Sequence, residues 1–485
     1  MPHVETPASR CRLGIARCDI TPPVGIYHRM WGAARHDRST GVHRPLTATA
    51  LVFQALDQLA SPETEQAVLA VDHCLLGAYE MQALLGAVAG ASGLAREQIL
   101  VAFSHTHGAG LMGRDRVELP GGELIPPYLE TLADRLGAIT RQAREAAEPV
   151  VITYAAGRCG LAAHRDFWDE QSQQFVCGFN PDGPADDALL LARVNRDDGR
   201  LLATLVNYAC HPTTLAWQNT LISPDYPGAM RELVEQATGA PCVFLQGASG
   251  DLGPRHGFVG DVAVAERNGR VLGHAVLSTW EGMPPPATRF AYRGPVVSGA
   301  TIGTWEHVPL DEESLREQAR WRLRRWTVDL SYRSDLPTLE QTRAELQRWQ
   351  SEEEAARASG DQQKAGDCRA LAERCRRRLA RLAQLPGGAA FPMPVALWRI
   401  GGGFWLAVEG EMYQAFQRQL RERCAGVPLL VLTLANGSRP AYLPPAEAYG
   451  KGIYQESIAV LERGCLERLT EAVGEEMARW LRQEQ

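Results

Sequence analysis

The sequence lacks both a secretory leader and a run long enough to cross a membrane. Its first residues, Met1 to Arg12, have neither a basic start nor an apolar core. No stretch reaches the roughly 18 consecutive apolar residues that a membrane-spanning helix needs. We therefore expect no membrane span and a cytoplasmic location.

Regularly spaced cysteines, internal repeats and an excess of positive charge are missing too. The 11 cysteines are an odd count without regular spacing, which argues against a disulfide framework and favours a reducing compartment. A formal net charge of -7 argues against nucleic acid or an anionic membrane surface as the partner. With 485 residues, 45% of them hydrophobic, the chain can bury a large core, either as one big domain or as a main domain with an insertion.

What the sequence does contain is a pair of histidines directly after an apolar run. Residues 99–103 read as a strand and lead into His105 and His107. Side chains at i and i+2 of a strand point to the same face, so the two imidazoles would reach one ion or one substrate atom together. Satisfied structural histidines give the same pattern, so the pair alone leaves both interpretations open.

Two further apolar runs end in polar residues. Residues 201–206 lead into Asn207 and then His211, and the proline that follows ends any central ladder. Residues 242–245 lead into a glycine-rich turn that contains Asp251. Because functional groups gather beyond the carboxyl ends of strands in open α/β sheets, we predict that the three runs are neighbouring strands.

Two candidate residues follow apolar runs near the C-terminus. Residues 404–408 break at a turn that carries Glu411 and precedes a helical stretch, and residues 428–434 lead into a loop that carries Tyr442. A lone glutamate in such a place often only favours the start of a helix, and a lone loop tyrosine is usually packing. Beside two histidines, Glu411 becomes a candidate third metal ligand.

Taken in order, these segments resemble the neutral, non-lysosomal ceramidases, a family of zinc-dependent amide hydrolases. The resemblance covers roughly residues 12 to 300 and 390 to 460. Its opening segments are Gly14 to Pro23, Met30 to Gly32 and Gly41 to His43. The histidine pair, the strand end at His211, the turn at Asp251, the turn at Glu411 and the segment of Tyr442 then follow in the family's order. The fold implied is α/β, a mixed-sheet ceramidase-like catalytic domain.

The resemblance also assigns roles to individual residues. The family's zinc ligands correspond to His105, His211, Glu411 and Tyr442. Its second active-site histidine, its substrate-facing arginine and a second tyrosine correspond to the candidate catalytic residues His107, Arg165 and Tyr454. We expect His107 to donate to the developing oxyanion or to shuttle a proton.

The function implied is hydrolysis of the C–N bond of a linear amide by a water that zinc activates. The chain departs from the family at Gly108, where a serine is usual, and just before Tyr442, where it is one residue longer. It also ends at Gln485, without the C-terminal β domain of family members that cleave ceramide. We therefore expect a smaller or more soluble N-acyl substrate in preference to ceramide.

Several alternatives stay open at this point. A zinc-bound water does not choose its electrophile, so a metal-dependent esterase, lactonase or phosphoesterase would need the same residues. A metal-binding scaffold without turnover is a third reading, and the ligand set would also accept manganese, iron or cobalt. We interpret Asp19 as structural and leave open whether Asp72 and Asp251 support the site.

Residues 310–385 form a candidate insertion, which divides the catalytic domain into residues 1–309 and 386–485. Their composition shifts to Arg, Glu, Gln, Ala and Leu, and apolar residues recur at helical spacing over 315–326, 339–349 and 368–382. This pattern predicts an inserted helical hairpin. Its charges indicate a solvated face, but its narrow apolar stripe would also suit a homo-oligomer contact or a cap over the active site.

Overall fold

The computed structural model describes residues 2–424 and 426–483. The helices are α1 Ala78–Ser92, α2 Ile125–Glu145, α3 Tyr226–Thr238, α4 Val262–Glu281, α5 Glu312–Gln318, α6 Leu339–Ala358, α7 Gln362–Gln384, α8 Gln414–Arg423, α9 Tyr454–Ile458 and α10 Cys465–Arg482. Short 3-10 turns lie at Arg96–Gln98, His107–Ala109, Arg114–Arg116, Gly122–Leu124 and Ala446–Ala448.

The strands, in chain order, are β1 His3–Val4, β2 Ala8–Asp19, β3 Gly41–Val42, β4 Thr47–Gln54, β5 Glu65–Val71, β6 Ile99–Phe103, β7 Glu148–Arg158, β8 Ala162–His164, β9 Asp166–Asp169, β10 Gln174–Cys177, β11 Ala188–Arg196, β12 Leu201–Tyr208, β13 Leu221–Ile222, β14 Cys242–Gln246, β15 Leu252–Pro254, β16 Thr288–Ser298, β17 Ala300–Pro309, β18 Trp321–Ser331, β19 Ala390–Ile400, β20 Gly403–Val408, β21 Glu411–Met412, β22 Leu429–Leu432 and β23 Tyr442–Leu443.

A mixed sheet with the strand order β14-β12-β11-β7-β2-β4-β5-β6 forms the centre of the protein. The pair at each edge is parallel, whereas the pairs between them are antiparallel. Alternate residues of each strand face opposite sides, so that Leu100 and Ala102 join one apolar core while Val101 and Phe103 join another. The sheet is therefore buried on both faces.

A smaller sheet, with the order β18-β19-β20-β22, packs on one face of the larger one. Trp398 and Trp405 of the smaller sheet are fully buried, and their ring centroids lie 5.7 Å apart. The Trp405 ring also lies 5.2 Å from that of Phe53 on β4. Because each large aromatic ring removes roughly 150–250 Å² from water, this contact fixes the two sheets together.

Helices cover the two outer faces. Helices α1 and α2 pack on one half of the larger sheet, and α3 and α4 pack on the other half. Helices α8 and α10 pack on the outside of the smaller sheet. The layers are thus helix, sheet, sheet and helix, which confirms the predicted α/β class with mixed sheets.

The carboxyl ends of three parallel strand pairs meet at one edge of this sandwich. They belong to β5 and β6, to β12 and β14, and to β20 and β22. The predicted adjacency is correct for β12 and β14 but wrong for β6, which lies at the opposite edge of its sheet. The polar ends still converge, because β6 contacts β14 and the Asn436 side chain bonds to the Val101 amide of β6 at 2.7 Å.

Residues 339–384 form the helical hairpin, since α6 and α7 pack along each other. The predicted helix over 315–326 is wrong beyond Gln318, because the chain there becomes β18, which pairs with β19 along its whole length. Leu323 packs on one core and Trp326 on another, which is a two-residue alternation. Tertiary pairing overrides the helical spacing here, and the hairpin is shorter than the predicted 310–385.

Within the described residues, no helix is both long and apolar enough to cross a bilayer. All 11 cysteines are free thiols, and Cys368 and Cys375 are buried on α7.

Candidate metal centre and active site

Three ligand atoms converge where the strand ends meet. The Nε2 atoms of His105 and His211 are 3.1 Å apart. Oε2 of Glu411 lies 3.3 Å from the first and 3.2 Å from the second. All three side chains are buried, although they come from segments more than 100 residues apart.

His105 reaches this position through a strained turn. Strand β6 ends at Phe103, and His105 has a φ of 66°, a left-handed conformation that costs a non-glycine residue about 1–3 kcal/mol. The backbone N–H of His105 donates to the carbonyl of His73 at 2.9 Å. His107 then begins a 3-10 turn.

The predicted alternation of His105 and His107 along a strand is therefore wrong. The two rings nevertheless meet, with centroids 5.0 Å apart and planes at 86°. The turn thus places the two imidazole rings side by side, although they do not lie on a strand.

Glu411 and Tyr442 face each other across a short parallel pairing. They are direct partners in the ladder between β21 and β23. The Tyr442 hydroxyl lies 3.5 Å from Nε2 of His211, and its ring stacks on that imidazole. Tyr442 is therefore on a strand, although the sequence placed it in a loop.

The tautomers of the two histidines suit a cation. Nδ1 of His105 lies 2.8 Å from the carbonyl oxygen of Cys74, and Nδ1 of His211 lies 2.7 Å from that of Ser249. Each Nδ1–H then donates to a carbonyl, which leaves each Nε2 as the atom that can bind a cation beside Glu411.

The spacing of the donors suits a small divalent cation such as zinc. Four ligand atoms about 2.0–2.1 Å from a tetrahedral ion are separated by roughly 3.4 Å. The separations among His105, His211, Glu411 and Tyr442 that are given above run from 3.1 to 3.5 Å. The residues present therefore fit such an ion.

A second set of donors, Cys74, His105 and His107, also lies close together. The Cys74 sulfur is 3.5 Å from Nδ1 of His105. That nitrogen already donates to the Cys74 carbonyl, so it cannot also serve as a ligand. We therefore assign the metal centre to the Nε2 side of His105.

The charges of the ligand set match this assignment. Burial, with the charge of Arg165, lowers the pKa of His211 to about 3, so this imidazole is neutral. Burial opposes ionisation of Glu411, but His105 and His211 outweigh it and hold the pKa of the carboxyl well below its usual range. Burial likewise opposes protonation of His105, but Cys74 and Glu411 raise its pKa well above the usual value. A cation bound at this site would displace that proton.

His107 stands beside the ligands with no partner of its own. Neither ring nitrogen has a hydrogen-bond partner among the described residues, although both atoms are buried. Burial, together with His105 and His211, holds its pKa well below the usual value. The Trp31 ring lies 5.0 Å away on the other side. The imidazole is therefore neutral and available to a substrate.

Arg165 and Tyr454 complete the group. The Arg165 guanidinium lies over the Tyr442 ring, 5.3 Å from its centroid, and donates to the carbonyl of Gly250 at 2.6 Å. The Tyr454 ring lies 5.9 Å from that of Tyr442 and is 46% exposed, at the mouth of the site. The structure thus brings all seven predicted site residues together, while their roles stay predictions.

The three aspartates considered from the sequence have structural partners. Asp19 accepts a hydrogen bond from the backbone of Thr21 in an exposed turn. Asp72 forms a buried, bidentate ion pair with Arg231. Asp251 bonds to Gln414, next to the Glu411 turn, and so supports the site from behind.

Sequence reasoning missed Cys74 and Arg381. Cys74 follows β5 by three residues, so the strand-end rule that found His105 and His211 could also have found it. Arg381 lies on α7, and its charge acts on Glu411, Tyr442 and Tyr454. Nothing in the arginine-rich sequence of α7 distinguishes this residue from its neighbours.

Comparison with solved structures agrees with this architecture. The chain is similar to the neutral ceramidase from Pseudomonas aeruginosa, with a TM-score of 0.62 and 16% identity over 99% of this chain and 75% of that one. A ceramidase structure complexed with C2 gives a TM-score of 0.63 and 16% identity over 99% and 76% of the respective chains. No protein-family model and no curated protein matches the chain. The resemblance to neutral ceramidases is therefore confirmed as a likeness of fold.

Proposed function

We propose that this protein is a metal-dependent hydrolase, with zinc as its ion, that cleaves the C–N bond of a linear amide. One observation carries the proposal. Two imidazole nitrogens and a carboxylate oxygen, from His105, His211 and Glu411, lie within 3.3 Å of one another, and backbone carbonyls hold both imidazoles in the ligating tautomer. These three residues and Tyr442 would hold the ion.

When bound, zinc would polarise the amide carbonyl and bring the pKa of a water to about 7. His107 is close enough to this centre to accept a proton from the attacking water and pass it to the leaving nitrogen, since both of its ring nitrogens are unpaired within the described residues. The water oxygen adds to the carbonyl carbon, the C–N bond breaks, and the amine leaves with the proton.

Tyr454 and Arg165 have supporting roles in this proposal. Tyr454 lies at the mouth, where its hydroxyl can donate to the developing oxyanion. Arg165 lies over the Tyr442 ring and fixes the position of that side chain.

An amide is proposed ahead of an ester because the fold is shared with proteins named ceramidases, which hydrolyse an N-acyl bond. We propose a smaller or more soluble N-acyl compound as the substrate in preference to ceramide. The cytoplasmic location and a homo-oligomer through the hairpin stay predictions.

The test combines metal content and turnover. Purified wild type, His105→Ala and Glu411→Ala are analysed by mass spectrometry for bound metal and assayed on matched N-acyl amides and acyl esters. His274→Ala, on the solvent side of α4, is the control. We expect about one zinc per wild-type and control chain, loss of both metal and amide cleavage in the two ligand variants, and faster turnover of amides than esters relative to the uncatalysed rates.

Other outcomes overturn specific parts of the proposal. A wild type that binds no metal even after zinc addition would exclude the mechanism. If the protein binds zinc and cleaves esters or phosphoesters but no amide, the metal centre is supported and the proposed substrate class is wrong. Zinc binding without turnover of any substrate would favour the scaffold reading.

A further inference from the structure

Helix α7 lies against the body of the protein beside the metal centre. Glu373 forms an ion pair with Arg116 at 2.7 Å, and both side chains are buried. One turn earlier, Ala370 packs so closely on Gly32 that a β-carbon there would lie 2.9 Å from that of Ala370. Gly32 follows Trp31, the residue beside His107. The hairpin is therefore seated on the loop that borders the active site.

The same face of α7 makes two further contacts with the body of the protein. Arg377 donates to the carbonyl of Met30, and Gln384 accepts from the backbone N–H of Ala78 at 2.7 Å. Arg381 lies between these two contacts, one turn from Arg377, so its side chain starts from the same face.

Arg381 is charged but has no partner among the described residues. No hydrogen bond or ion pair joins it to any residue in the ranges 2–424 and 426–483, whereas Arg374, Arg376, Arg377 and Arg378 on the same helix each lie within 4 Å of a carboxylate. Its charge acts mainly on Tyr454, Glu411 and Tyr442. With a cation bound, Glu411 would be neutralised, and Arg381 would keep an unpaired and partly buried charge.

The surroundings add to this surplus of positive charge. Glu373 is shared by Arg116, Arg376 and Arg377. Asp115 also pairs with Arg116, so this cluster has three cations and two carboxylates, which leaves one cation in excess. A partly buried cation without a counter-ion costs free energy, which an anionic group of a ligand would offset. The protein therefore has a place for an anion next to the metal centre.

An apolar wall borders a different part of the site. The Trp31 ring, beside His107, also lies 5.6 Å from that of Phe258 and 6.3 Å from that of Trp217. The charge of Arg381 acts on Tyr442 and Tyr454, whereas the ring of Trp31 lies beside that of His107. A substrate that fills both regions has an apolar group on one side of its amide and an anion on the other.

We propose that Arg381 binds a carboxylate on the amine half of the substrate while the wall of Trp31, Trp217 and Phe258 receives the acyl half, so that the protein hydrolyses N-acyl amino acids. This inference rests on the proposed amide hydrolysis and specifies its substrate class. The products are the free carboxylic acid and the amino acid, with one water consumed.

The experiment compares N-octanoylglycine with its neutral methylamide, both cleaved at the same bond. The measured quantity is the ratio of kcat/KM for the acid to that for the neutral amide. We expect Arg381→Gln to lower this ratio about tenfold or more through a higher KM for the acid, because one charge-assisted contact is lost. Arg381→Lys should restore part of the ratio.

Arg374→Gln is the matched control. It removes the same charge from the same helix, but Arg374 is directed at Glu345 of α6, 3.9 Å away, and should leave the ratio unchanged. Melting temperatures of the variants show whether each one folds. If the ratio in Arg381→Gln equals that of the wild type, whether or not both activities fall, the inference is overturned.

A binding measurement separates this inference from the proposed activity. The keto acid in which a methylene replaces the amide N–H of N-octanoylglycine has no C–N bond to cleave, and its binding is measured by calorimetry against that of its methyl ester. Preference for the acid that Arg381→Gln abolishes supports the anion site even if no amide is hydrolysed. Amide hydrolysis without such a preference supports the hydrolase and overturns the anion site.

Discussion

Asp251 and Gln414 join two turns of the metal centre through a pair of hydrogen bonds. The carboxylate accepts from the backbone N–H of Gln414 at 2.8 Å and from its side-chain Nε2 at 2.7 Å. The first turn also carries Ser249, whose carbonyl orients His211, and the second contains Gln414, three residues after Glu411. One aspartate thus sets the distance between two ligands.

Replacing Asp251 with Asn should weaken metal binding. The amide oxygen can accept from only one Gln414 donor, and its NH₂ group then faces another donor. Loss of such supporting contacts typically costs 10- to 100-fold in metal affinity, so we expect a decrease of that order. Competition with a chromophoric chelator measures it, with Asp182→Asn at an exposed turn as control. An affinity equal to wild type would show that Asp251 does not position the ligands.

The buried pair of Asp72 and Arg231 should matter for folding rather than for catalysis. Burial favours the neutral carboxyl, but Arg231 outweighs it and lowers the pKa of Asp72. Asp72→Asn leaves the guanidinium without its charge partner, and we expect a loss of about 3–5 kcal/mol in the free energy of unfolding near pH 7. Asp187→Asn, which breaks an exposed pair with Arg158, should cost no more than about 1 kcal/mol.

The pH dependence of that difference checks the cause. Because the pKa of Asp72 is lower in the folded state, its ionised form stabilises the fold above the unfolded pKa of about 4, and this contribution is lost as the pH falls further. Denaturant unfolding should therefore show a gap between wild type and Asp72→Asn that narrows below about pH 4. A gap that stays constant with pH would mean that packing, not charge, stabilises the pair.

His107 should affect the rate without affecting the metal. Its ring nitrogens form no hydrogen bond with any described residue, and it is not one of the three converging donors. We expect His107→Ala to keep its zinc while kcat for an amide falls about 100- to 1000-fold, in the range for loss of one transition-state donor. Metal analysis and steady-state kinetics on the same sample decide this. Loss of zinc in parallel with activity would instead make His107 a ligand.

Much of the site could be predicted because each ligand follows an apolar run. His105, His211 and Glu411 lie two or three residues beyond a buried strand, and the carboxyl ends of strands are where such groups gather. The local reason given for His105 and His107 was nevertheless wrong. Their meeting depends on a φ of 66° at His105, and no strand periodicity shows such a turn.

What the sequence could not provide depends on tertiary contacts. The spacing of Leu315, Leu323 and Trp326 suggested a helix, yet eleven residues of this region pair with β19 as a strand. Likewise, α7 has many arginines, and only its packing on Met30 and Ala78 shows that Arg381 lies on the face turned toward the body of the protein. Local patterns located the strand ends. The strand at residues 321–331 and the position of Arg381 depend on the elements that pack beside them, which local patterns do not show.

Gly108 lies in the turn that holds His107, where the backbone of Ser223 leaves little room for a side chain. A β-carbon at Gly108 would lie 2.6 Å from the carbonyl oxygen of Ser223, a backbone atom that cannot move aside easily. We expect Gly108→Ser to lower the free energy of unfolding by about 1–3 kcal/mol and to displace His107, so that kcat falls while zinc is kept. Gly90→Ala is the matched control, because Gly90 is exposed within α1 with open space around it and should gain about 0.5–1 kcal/mol. A Gly108→Ser variant with wild-type stability and rate would show that the Ser223 backbone relaxes freely.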